Sequence, residues 1–169
     1  DAVTLTFESG GRSQGAPFIP AASRVAAQTG RIELDVALED ASGTVVSDDR
    51  SILYFRTGLS VGSDSYDATK YAPFINSGEY VQLAFQDADN PNRSLVQTSL
   101  PYEVTERIAI PTHINAVNLS GTAVVSLGEQ ENVPEEWTVF LTDTQTDESV
   151  ALDPGMEHRF DLGSTTMQK

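Results

Sequence analysis

Between Arg31 and Glu39 the sequence reads Arg-Ile-Glu-Leu-Asp-Val-Ala-Leu-Glu, with an apolar side chain at every second position. That period belongs to a β-strand: Ile32, Leu34, Val36 and Leu38 share one face and the charged residues point the other way. No stretch of ten or more residues carries helical spacing, whereas short apolar or alternating runs recur along the chain. Val3–Glu8, Ser51–Arg56, Glu79–Gln86, Ser94–Thr98, Glu103–Ile110, Thr122–Leu127, Trp137–Thr142, Ser149–Leu152 and Glu157–Leu162 all read as strands. Between them lie turns such as Asp40-Ala41-Ser42-Gly43 and Asp153-Pro154-Gly155. Strands and turns at these intervals imply an all-β fold, expected as an antiparallel β-sandwich of the jelly-roll kind. Residues 1–30 read as an N-terminal strand and covering loop, 31–163 as the sandwich, and 164–169 as a trailing linker. Within the sandwich two packed lobes, about 31–102 and 103–163, are expected to form one continuous unit, because no Pro/Ser-rich linker divides them.

The most distinctive stretch runs from Arg50 to Tyr71, where a short apolar strand feeds a loop rich in Gly, Ser and Asp. Gly58 and Gly62 suit positive φ, and Asp64 and Asp67 stand three apart with Tyr66 between them. Two uses of those aspartates are open. With the carbonyls of a Gly-rich turn they could offer Ca²⁺ the oxygens it prefers. Alternatively, Asp67 accepts backbone amides to hold the loop, with Lys70 or Arg56 as its charge partner and Tyr66 packed inward. A second candidate for calcium is Asp87-Ala88-Asp89-Asn90-Pro91-Asn92, where Asp87 and Asp89 alternate as in the start of a calcium loop. It lacks the glycine at the sixth position and the glutamate at the twelfth that an EF-hand requires, so a polar hairpin turn explains it as well.

The order of several short motifs resembles a region common in multidomain surface proteins that Bacteroidota and their relatives export by the type IX secretion system. The residues that carry the resemblance are Gly62, Asp64, Tyr66-Asp67-Ala68-Thr69-Lys70, Leu100-Pro101, Ile110-Pro111 and Trp137-Thr138-Val139-Phe140-Leu141-Thr142-Asp143. Ser63 departs from the phenylalanine usual in that family. The resemblance implies a non-catalytic β module lying before a C-terminal sorting domain, secreted or on the cell surface, with the other domains of its parent protein as partners.

Chemistry-bearing constellations are sparse. There is no cysteine, which removes disulfides, thiolate metal sites and cysteine nucleophiles. His113 and His158 are the only histidines and show no paired-ligand spacing for zinc. Gly58-Leu59-Ser60-Val61-Gly62 matches a nucleophile elbow in letters, but a Gly/Asp loop follows where the elbow needs a helix. Trp137 opens an alternating strand with Val139 and Leu141 on the same face and reads as core; exposed, it would offer a platform for stacking sugars. The expectation is therefore a non-enzymatic structural or spacer module, the alternative being a carbohydrate-binding or calcium-dependent adhesive module gripping a polysaccharide. No apolar run is long enough for a membrane helix, so membrane insertion is not expected.

The chain has 25 acidic residues against 10 basic ones, a formal net charge of -15, and only Lys70 and Lys169 are lysines. Nucleic acid is a poor partner for such a surface. Scattered short carboxylates of this kind suit the protein of a salt-loving bacterium, because ions screen the self-repulsion that otherwise loosens the compact state. The thermal midpoint is accordingly expected to rise as NaCl is increased from low to molar concentration. A midpoint that stays level or falls would contradict this reading of the charge.

Overall fold

The structure is a computed structural model and describes residues 2–9, 27–73, 78–144 and 146–165. The expected covering loop of residues 10–26 and residues 166–169 of the expected linker lie outside the described residues. The strands are β1 (Ala2–Ser9), β2 (Thr29–Glu39), β3 (Val45–Arg56), β4 (Ala68–Thr69), β5 (Tyr80–Gln86) and β6 (Ser94–Pro101). They continue with β7 (Ile108–Val117), β8 (Gly121–Glu131), β9 (Trp137–Asp143), β10 (Ser149–Ala151), β11 (Glu157–Leu162) and β12 (Ser164–Thr165).

The alternation of β2 is realised in full, with Ile32, Leu34, Val36 and Leu38 no more than 1% exposed. They meet Leu5 of β1, Leu53 and Phe55 of β3, Leu83 and Phe85 of β5, Ile114 of β7 and Val125 of β8 in one core. The expected sandwich, however, does not form. All the strands belong to a single sheet in the order β10-β9-β1-β7-β5-β6-β3-β2-β8-β11, with β12 added to β7 and β4 to β6. That sheet winds 322° round an axis and nearly closes into a barrel, leaving β10 and β11 as its two edges. Nor do two lobes separate. β1 lies between β9 and β7, and β2 lies between β3 and β8, so strands from either side of residue 102 are interleaved. The sheet is also not purely antiparallel, because β3 pairs with β6 in parallel, Ile52 opposite Gln97 through Arg56 opposite Pro101. The physical reason for the difference is that a sandwich and a barrel turn the same alternate residues inward. Alternation fixes the face of each residue and leaves the choice of neighbouring strand open.

The outer face of β2 carries charge. β8 bulges here, since Ile32 stands opposite Gln130 and Leu34 opposite Leu127. Gly128 lies in that bulge, where a Cβ would come within 2.5 Å of Asp35 Oδ2 and 3.0 Å of Glu33 Cβ. The missing side chain leaves room for Glu33, which is only 2% exposed and is paired with Arg31 and, at 2.7 Å, with Arg50 Nη1. A carboxylate so deeply placed is tolerable because it is paired on both sides.

A corner in the wall joins the two halves of the barrel. β5 pairs with β6 only at Phe85 opposite Leu95 and Gln86 opposite Ser94, after which β6 runs beside the second half of β3. The start of β5 is therefore left without β6 as a backbone partner. Side chains from the first half of β3 take that role. Ser47 Oγ accepts the Val81 amide at 2.9 Å, Asp49 Oδ2 accepts the Leu83 amide at 2.8 Å, and Ser51 Oγ donates to the Leu83 carbonyl at 2.7 Å. Lys70 fills the corner with a side chain 8% exposed, its Nζ donating to Asp49 Oδ1 at 2.7 Å and to the Arg50 carbonyl at 2.8 Å. Asp49→Ala would leave the Leu83 amide and the Lys70 ammonium without this acceptor, so it should cost roughly 1–3 kcal/mol in chemical denaturation. The exposed neighbour Asp48→Ala should stay within about 0.5 kcal/mol of wild type. Equal effects of the two substitutions would refute the corner's role.

Candidate functional site

The loop that follows β3 crosses the outside of the barrel and returns as β4. Gly58 and Gly62 have φ of +85° and +147°, the conformations for which glycine suits these places. Within the loop the Asp64 amide donates to Asp67 Oδ2 at 3.0 Å, and the Tyr66 amide donates to Asp64 Oδ1 at 2.7 Å. The loop is fastened to β6 by Ser99. Its amide donates to Asp67 Oδ1 at 2.8 Å, and its hydroxyl oxygen lies 2.6 Å from Asp64 Oδ1 and 2.7 Å from Asp67 Oδ1. One hydroxyl is thus shared between two carboxylates, while Asp64 Oδ2 is buried with no hydrogen-bond partner.

Asp87 begins the turn between β5 and β6 and is 2% exposed. Its Oδ1 accepts the Ser63 hydroxyl and the amides of Asp89 at 2.9 Å and Asn90 at 3.2 Å; its Oδ2 accepts Arg93 Nη1 at 3.0 Å. Asp89 Oδ2 in turn accepts the Ser63 amide at 2.8 Å. Ser63 therefore ties both aspartates of this turn to the loop that carries Asp64 and Asp67. Asp87 to Asn92 forms a hydrogen-bonded hairpin turn, closed by the Asp87 amide on the Arg93 carbonyl at 3.1 Å.

The four aspartates singled out in the sequence are thus drawn together, but through donors of the chain itself. Among the described residues, no group of three or more His, Asp or Glu side chains is arranged to hold a metal ion. Asp67 takes backbone amides as one reading expected, yet its other partner is Ser99 and neither Lys70 nor Arg56. Lys70 is committed to Asp49, and Arg56 lies 5.0 Å over the ring of Tyr66. Tyr66 does not pack inward. It is 36% exposed, stacks on Tyr54 at 5.6 Å, and its carbonyl accepts Gln97 Nε2 at 2.6 Å.

His113 and His158 stand on β7 and β11, which are not neighbours in the sheet. Ser60 is exposed in the loop, with no helix after it. Trp137 is half-buried and packs edge-on to Phe55 at 4.8 Å and beside Tyr102 at 5.9 Å. Sequence reasoning missed Ser63 and Ser99, because a serine in a loop or strand carries no periodic signal and their partners are more than twenty residues away, and it missed Arg93, six residues from Asp87 across the turn.

Compared with known proteins, the chain matches no family model, no curated protein and no solved structure.

The Ser63 hydroxyl above all, then the Asp89 and Asn90 amides and the charge of Arg93, hold the Asp87 carboxyl below its ordinary range against the opposing effect of burial. A carboxyl depressed on folding stabilises the protein fully above its unfolded value, about 3.9, and loses that contribution as pH falls through the folded value. Asp87→Asn should therefore cost about 1–3 kcal/mol at pH 7, a difference that shrinks as the pH is taken below about 4. Denaturation of both proteins at pH 7 and pH 3 measures it. A difference independent of pH would contradict the assignment.

Proposed function

We propose that this chain is a non-catalytic structural module of a secreted or cell-surface protein. The observation that carries the reading is the use made of the carboxylates in its most distinctive loop. Asp64, Asp67, Asp87 and Asp89 accept hydrogen bonds from amides, hydroxyls and a guanidinium of the same chain. Groups committed in this way order a loop, and a catalytic acid or base needs instead to face a substrate. The order of the motifs from Gly62 to Asp143 supports an exported protein, through its likeness to modules that precede a sorting domain in type IX-secreted proteins. Partners on this reading are the other domains of the parent chain.

The test is a set of thermal melts of wild type, Asp64→Ala and Asp67→Ala, each in EDTA and in millimolar Ca²⁺. If the loop is ordered by the chain's own donors, Asp67→Ala loses roughly 1–3 kcal/mol by leaving the Ser99 and Asp64 amides without their acceptor. The loss is then equal in both solutions. An ion-dependent adhesive module would instead stabilise wild type in calcium as RT ln(1 + [L]/Kd), and both substitutions would abolish the gain. That outcome would overturn the structural reading.

A further inference from the structure

We propose that the polypeptide comes into and leaves this barrel side by side, so that the module hangs from its parent chain as a side branch instead of lengthening it. This builds on the reading of the chain as a structural module and specifies how such a module is attached.

The inference rests on β7. One edge of that strand is taken by β5, from Phe85 opposite Thr112 to Tyr80 opposite Val117. The other edge is taken by β1, from Phe7 opposite Ile108 to Ala2 opposite His113. β12 places Ser164 opposite Ala116 and Thr165 opposite Val117, where β5 already holds the first edge. β12 therefore lies on the same edge as β1, directly beyond residue 2. Residues 2 and 164 are separated by the rise from His113 to Ala116, three residues or about 10 Å. The wall itself is much longer, since β2 and β8 have 11 residues each, or about 35 Å at the rise of a strand. A spacer that extends its parent must hold its ends apart by something like the length of the wall. This one holds them less than a third of that apart.

The connections are sorted accordingly. On the side of residues 2 and 164 lie tight turns: the Asp40–Thr44 turn, closed by the Asp40 side chain on the amides of Ser42 and Thr44, and the Asp143–Glu148 turn. The connections 102–107 and 132–136 lie at the opposite end, where Trp137 packs beside Tyr102. Attachment through β1 and β12 turns that end away from the parent chain.

The absence of cysteine makes the test direct. Ala2→Cys with Thr165→Cys, opposite His113 and Val117 and so on one face of the sheet, gives the full chain two thiols only, and a bismaleimide of about 13 Å reach should join them within one molecule, as the strand rise predicts. Ala2→Cys with Glu131→Cys, at opposite ends of the wall, serves as the control and should react far more slowly. A second variant joins residue 165 to residue 2 through about six Gly and Ser residues and opens the chain in the Asp40–Thr44 turn. It should keep the circular dichroism and cooperative melt of wild type. A 2/165 pair that cross-links no faster than the control, or a joined chain without a cooperative melt, would overturn the proposal. Neither result depends on calcium, so this attachment and the ordering of the Asp64–Asp67 loop can fail separately.

Discussion

The barrel depends on three polar side chains that point inward. In its second half β3 turns Leu53 and Phe55 into the core, but on the same face in its first half it carries Ser47, Asp49 and Ser51. These meet the start of β5, whose backbone is released by β6. An amide left unpaired inside a protein costs as much as several ordinary packing contacts gain. The wall can therefore bend away from β5 only if other acceptors stand where β6 would have been. Ser47 and Asp49 supply them at the spacing of alternate strand residues, and Lys70 neutralises the charge that Asp49 brings. Because β3 is continuous from Val45 to Arg56, one strand holds both β5 and β6, and the sheet goes on curling without a break.

The same three residues explain where reading the sequence stops. β2 was legible because its inward residues are all apolar, and β5, β8 and β9 were legible for the same reason. The first half of β3 was legible only in part, Thr44-Val45-Val46 reading as the return from the turn and Ser47-Asp48-Asp49 as a lead into the central strand. Ser47-Asp48-Asp49 has the composition of a turn, and only the amides of Val81 and Leu83 make two of those residues belong inside. Strand order was hidden more deeply, since it rests on pairings such as Leu5 opposite Leu141 and Val36 opposite Val125, distant in sequence. In the loop, the three-residue spacing of Asp64 and Asp67 did announce a side chain closing on a nearby amide. What it could not announce was Ser99, a partner 32 residues further along the chain on β6.

Charge follows a division of labour. Arg31, Arg50, Lys70, Arg93 and Arg159 all pair with carboxylates, and Arg56 stacks on Tyr66. With so few cations, the chain meets the needs of its inner carboxylates largely with amides and hydroxyls, as at Asp67 and Asp87. Such bonds run over a few ångströms with little water between the partners, a distance over which salt screens weakly. The remaining acidic residues at the surface repel one another across water, where screening is strong. Screening therefore bears on the outer carboxylates far more than on the loop and the corner of the wall. A chain this acidic can keep one fold because the carboxylates that shape it are held by its own donors, while the surplus is left to water.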